Sequence, residues 1–132
     1  MALALGFDFG RKRIGLAVGD IQGISVRPLT TLAAIKGLPQ LDETSKYIGE
    51  FQPKILVVGL PQAGGAAVET SRTGAETLAM WLRKHFALPV AMCDESYSSV
   101  ISPKDARDAH AACIILRDWI IQQAGVPKPI AD

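Results

Sequence analysis

Hydrophobic and small residues alternate from the start of the chain. Leu5, Phe7 and Phe9 fall on one side of a period-two pattern, and Ala4, Gly6 and Asp8 on the other, which predicts a strand with one well-packed face. The pattern resumes after Gly10, Arg11 and Lys12. There Ile14, Leu16 and Val18 share a face, and Arg13, Gly15, Ala17 and Gly19 share its opposite. A hairpin follows, with Phe9 opposite Ile14, Phe7 opposite Leu16, Leu5 opposite Val18, Asp8 opposite Gly15 and Gly6 opposite Ala17. This register sets large side chains against large and small against small.

Further along, Val26, Leu29 and Leu32 predict a third strand over Ile24 to Leu32, with Pro28 implying an edge position or the strand's end. Leu41, Ser45, Ile48 and Phe51 recur at helical spacing, so a helix is expected over Leu38 to Phe51, closed by Gln52-Pro53. Ile55 to Gly59 is a continuous apolar run, as in a strand covered on both faces of a parallel sheet. A loop over Leu60 to Glu69 leads to a helix from about Thr70 to Phe86, with Ala75, Leu78, Ala79 and Leu82 on its inner stripe. Pro89 to Cys93 predicts another buried strand, ending at Asp94-Glu95. Ser102 as cap, Pro103 at the first position and Asp105 three residues after the cap then announce a last helix running to about Ala124. Three strands followed by alternating helices and strands give an α/β fold. Its mixed five-stranded sheet is antiparallel over the first three strands and parallel thereafter, with flanking helices. Sites in such sheets gather at the carboxyl ends of the parallel strands.

At 132 residues, the chain is most simply one domain over residues 1–132. Its net charge of +1 leaves any nucleic-acid contact to local basic clusters rather than an overall field. Cys93 and Cys113 lie in apolar surroundings without metal-ligand spacing, and read as buried thiols. No basic segment precedes a long apolar run at the N-terminus, and no apolar stretch approaches a membrane span. A cytoplasmic protein with no membrane partner is expected.

Asp is disfavoured in strands, so Asp8 calls for a reason. Either it ends an edge strand or caps a turn, or it stands on a face that Gly6, Gly15 and Ala17 keep clear for a cation, a phosphate or a close helix. Two further acids sit where that face could meet them: Glu95, just past the last strand, and Asp108, early in the last helix on one stripe with Ala112 and Ile115. Taken singly, Glu95 is an ordinary loop carboxylate and Asp108 an acid near a helix start. Taken together, carboxylates without His or Cys partners suit hard cations, Mg²⁺ or Mn²⁺, rather than zinc. The chemistry suggested is two-metal phosphodiester hydrolysis. Arg11, Lys12 and Arg13 adjoin Asp8 and either grip phosphates flanking the scissile bond or form a solvated hairpin tip.

These residues resemble one family in order across nearly the whole chain. Leu5-Gly6-Phe7-Asp8-Phe9-Gly10 with Arg13-Ile14-Gly15-Leu16-Ala17-Val18 comes first, then Val57-Val58-Gly59-Leu60-Pro61. Asp94-Glu95 with Ser98-Ser99 follows, and Asp108-Ala109-His110-Ala111-Ala112 leads into Ile114-Ile115-Leu116. The whole is similar to the YqgF (RuvX) family. The resemblance implies a ribonuclease H-like fold related to Holliday junction resolvases. It also implies a nuclease of 5′-end maturation of pre-16S rRNA, using Asp8, Glu95 and Asp108 as metal-holding catalytic triad. Arg11, Lys12, Arg13, Ser98 and Ser99 are then substrate-binding candidates. The implied partners are pre-16S rRNA or branched DNA, and ribosomal particles. Ser96 stands where the family usually has Arg, Gln62-Ala63-Gly64-Gly65 replaces an Asn-Met-Asp-Gly-like run, and the segment between Ser99 and Asp108 is short. Other readings are a Holliday junction resolvase-like DNA nuclease, a ribosome- or RNA-binding protein that has lost catalysis, and an ATP-binding domain of the sugar-kinase and actin type. The last would need a second domain and a second phosphate motif.

Overall fold

The opening hairpin sits inside the sheet, and the rest of the chain is built outward from it. The computed structural model describes residues 2–23, 25–60, 66–94 and 108–124. The elements in order are β1 (Leu3–Asp8), β2 (Arg13–Asp20), β3 (Ser25–Ile35), β4 (Leu38–Pro39), α1 (Leu41–Phe51), β5 (Ile55–Leu60), α2 (Ala66–Phe86), β6 (Val90–Asp94) and α3 (Asp108–Ala124). The sheet order is β4-β3-β2-β1-β5-β6. β1 pairs antiparallel with β2, in the expected register from Leu5↔Val18 to Asp8↔Gly15, and parallel with β5. β5 in turn runs parallel to β6. The sheet therefore has six strands, not five.

The sixth strand is β4, and a two-residue turn makes it. Lys36 and Gly37 both have positive φ, 55° and 84°, as a type I′ hairpin turn requires, and Ile35 pairs with Leu38 across it. β3 accordingly reaches Ile35, and α1 starts at Leu41 rather than Leu38. Pro28 lies within β3, where the register slips between Leu16 and Ala17, and β4 pairs only with Ala34 and Ile35. Among the described residues β3 is thus an open-edged strand with an irregular pairing at Pro28, the two settings in which a strand tolerates proline. The buried residue of α1 is Thr44, not Leu41, which is 40% exposed, or Ser45, which is also exposed. Thr44 can be buried because its hydroxyl donates to the Gln40 carbonyl at 2.8 Å. Gln52 closes α1 in the left-handed region, donating its N–H to Ile48.

Strand alternation divides the core in two. Leu5, Phe7, Ile14, Leu16, Val18, Leu56 and Val58 pack on one face against the predicted α2 stripe, Ala75, Leu78, Ala79 and Leu82. α2 begins at Ala66, earlier than the expected Thr70, because Ala66 to Glu69 continue the helix. On the other face Ala4, Ala17, Val57 and Cys93 meet Ala112, Cys113, Ile115, Leu116, Trp119 and Ile120 of α3. Both cysteines are buried, and burial pushes the Cys113 thiol up to about 11, so it stays protonated at neutral pH. Among the described residues no helix is long and apolar enough to cross a membrane. The expected cap at Ser102-Pro103 and the loop residues Pro61 to Gly65 lie outside the described residues.

Candidate active site

Because β1, β5 and β6 are parallel, their carboxyl ends, Asp8, Leu60 and Asp94, share one edge of the sheet. Asp8 is no edge-strand residue, since β1 has a neighbour on each side. Its carboxylate is half-buried. By alternation it shares the α3 side with Ala4 and Gly6. Across β2 it faces Gly15. Continuing the β1–β5 register past Phe7↔Val58 brings Gly59 beside it on the other strand. Glycines thus flank the carboxylate on both sides. Gly15 was legible as half of this clearing. Gly59 was not, because an apolar run ending in Gly signals only a strand's end.

The helix crossing this face comes close because Gly6 and Gly19 have no side chains to hold it off. A Cβ on Gly6 would stand 2.9 Å from Leu116 Cβ and 3.1 Å from the Ala112 carbonyl, and one on Gly19 would stand 3.0 Å from Ile120. Gly19 is level with Ala4 of β1, so α3 runs antiparallel to β1, from Ile120 at the Ala4 level to Leu116 at the Gly6 level. Four helical residues rise about 6 Å and two strand residues about 6.6 Å. One further turn therefore carries the helix backbone to Ala112 near the level of Asp8, and Asp108, which opens α3, lies a turn beyond it at the same end of the sheet. Ala112 and Ile115, predicted to share its stripe, are both buried.

Glu95, Ser98 and Ser99 lie outside the described residues. Asp94, the residue before Glu95, ends β6 two strands from β1, roughly 10 Å away at the usual strand spacing. Arg11, Lys12 and Arg13 are exposed at the hairpin tip. That tip is tied to β3 and β4: Ala34 N–H donates to the Lys12 carbonyl at 2.8 Å and Gly37 N–H to the Arg11 carbonyl at 3.1 Å.

The donor set bears on the metal. Among the described residues no three His, Cys, Asp or Glu side chains group to hold an ion, and Asp8 is the described carboxylate of the candidate triad. Cys93, which the register places level with Gly59, is engaged in the core, its thiol 3.6 Å from the Ile115 carbonyl. Among the described residues, what this end of the sheet offers an ion is therefore the carboxylate oxygen of Asp8, a hard donor.

The architecture is that of a ribonuclease H-like protein of the RuvC type. The solved structure titled "T. thermophilus RuvC in complex with Holliday junction substrate" superposes with a TM-score of 0.61, covering 95% of this chain and 97% of that one, at 15% identity. The chain belongs to the RuvX family: the model of that family, described as "RuvX: Holliday junction resolvase", matches residues 2–122. Curated relatives include a protein of Legionella pneumophila (strain Lens), 37% identical over 89% of this chain and 94% of its own length. Another, from Vibrio vulnificus (strain YJ016), is 38% identical over 92% and 96%. Both are named "Putative pre-16S rRNA nuclease".

Proposed function

We infer that this chain is a cytoplasmic hydrolase of phosphodiester bonds that matures the 5′ end of pre-16S rRNA with Mg²⁺ or Mn²⁺. The observation that carries it is Asp8, a half-buried carboxylate between glycines at the end of a central strand. A helix that begins with Asp108 packs directly on that strand. In this reading Asp8, Glu95 and Asp108 are the metal-holding catalytic acids. Divalent metal held by these carboxylates would supply an activated water and positive charge for the leaving oxygen. Arg11, Lys12 and Arg13 would hold backbone phosphates beside the cut, and Ser98 and Ser99 would donate hydrogen bonds to the same strand. With a net charge of +1, such binding is weak and falls steeply with salt. The ribosomal precursor particle is then the working partner.

The test is cleavage by the purified chain of an rRNA precursor carrying its 5′ leader, beside a four-way DNA junction. The leader is expected to be removed with Mg²⁺ or Mn²⁺ and left intact with chelator. Cutting of the junction alone would favour the resolvase activity that the family description names. Precursor binding without cleavage, indifferent to metal, would favour the binding protein that Ser96 suggests.

A further inference from the structure

We propose that the cavity between the β1–β2 turn, the β3–β4 turn and α2 is a subsite for a backbone phosphate of the substrate strand, with Lys36 and Arg11 as its cationic walls. Its place in catalysis rests on the nuclease reading above, while its affinity for phosphate does not. The cavity measures about 320 Å³ and is lined by Phe9, Arg11, Lys36, Thr73 and Gly74. Among the described residues that lining offers a guanidinium, an ammonium and a hydroxyl, and no carboxylate. Such a set matches an anion presenting several acceptor oxygens, the guanidinium as a planar fork and the ammonium as a point charge.

The walls stand on a fixed frame. The Gly37 N–H to Arg11 carbonyl bond ties the two turns together. The Phe9 ring fills the space that Gly37 and Gly74 leave open, and a Cβ on Gly37 would come within 2.8 Å of it. One ring, next in sequence to Asp8, thus sets the Lys36 turn and α2 against the end of β1. Phe9 and Asp8 project to opposite faces of the sheet, so a strand passing from Asp8 over the sheet's end and across the Arg11 turn arrives at this cavity.

Lys36 carries a conformational argument as well. It occupies the first central position of a type I′ turn at φ 55°, where Asn, Asp or Gly are the residues that fit. A side chain kept against its backbone preference points to a role outside the turn. A long cation lining an open cavity beside a second cation supplies one.

Lys36→Asn separates the two effects. The full chain is titrated with a labelled, unstructured RNA oligonucleotide in chelator over a range of salt, and melted in parallel. Lys36→Asn is expected to bind about three- to tenfold more weakly whatever the RNA sequence. Its slope of log K against log salt should be shallower by about 0.7, and its melting point a few degrees higher, because Asn suits the turn. Lys36→Arg, which keeps charge and backbone strain, should bind like the parent, and Arg11→Ala should flatten the slope as Lys36→Asn does. Unchanged affinity and slope in Lys36→Asn, with the higher melting point, would overturn the subsite. If Lys36→Asn binds as the parent while the parent cleaves, the subsite fails and the nuclease stands. If the parent never cleaves but Lys36→Asn loosens binding, the reverse holds.

Discussion

Asp8→Asn is expected to lower metal-dependent cleavage at least about 10³-fold while leaving the fold in place. The amide keeps the size of the carboxylate and removes its charge, which is what a hard cation binds. Partners that merely orient metal ligands are worth 10- to 100-fold, so a ligand itself must count for more. The amide fits the same space, and Gly15, without a side chain, faces it across the sheet. The measurement is single-turnover cleavage of the rRNA precursor at saturating protein, with circular dichroism to confirm the fold. Cleavage by Asp8→Asn at the parent rate would mean that another group holds the metal or that a contaminant cuts.

Gly6→Ala is expected to damage both stability and activity, through α3. The added methyl meets Leu116 Cβ at 2.9 Å and, more seriously, the Ala112 carbonyl at 3.1 Å, which is helix backbone and cannot rotate away. Overpacking of this kind costs about 1–3 kcal/mol, and in a chain of this length about 3–5 °C of melting point per kcal/mol. Its effect on catalysis should be larger than its effect on folding. The helix that is pushed off begins at Asp108, and a displacement of about 1 Å at a reacting centre can cost about 10²-fold in rate. Gly49→Ala is the control. Nothing lies within 4 Å of the Cβ it would add on the outside of α1, so replacing a helical Gly there should stabilise the protein by about 0.5–1 kcal/mol with no change in rate. Equal losses from the two variants would dissociate the helix seat from the chemistry.

Local pattern carried the hairpin register, both sheet faces and the inner stripe of α2, because each is dictated by alternation or helical spacing of side chains that must be buried. Capping and closure were legible on the same footing at Gln52-Pro53. The pattern failed where one backbone conformation outweighed side-chain periodicity. Two consecutive positive-φ residues, Lys36 and Gly37, turn Leu38 and Pro39 back onto β3, and apolar spacing alone assigned them to the helix. Leu41 and Ser45, which share the helical spacing of Ile48 and Phe51, are exposed, and the buried position of α1 is Thr44, whose hydroxyl finds a backbone partner four residues earlier. At the site, Asp8 stood out as an acid in a strand opposite glycine, whereas Gly59 emerges only from the pairing of β1 with β5, which spans about fifty residues of chain and leaves no local trace.

The central claim is that Asp8, Glu95 and Asp108 hold divalent metal together at the carboxyl end of β1. A crystal structure of the protein grown with Mn²⁺, phased to show the ion by its anomalous scattering, addresses it without reference to any substrate. Manganese should appear bonded to an Asp8 carboxylate oxygen at the roughly 2.0–2.1 Å of a hard divalent ion, with Asp108 and Glu95 oxygens in the same cluster. Manganese absent from Asp8, or those three carboxylates lying more than about 10 Å apart, too far to share ions spaced about 4 Å, would contradict it.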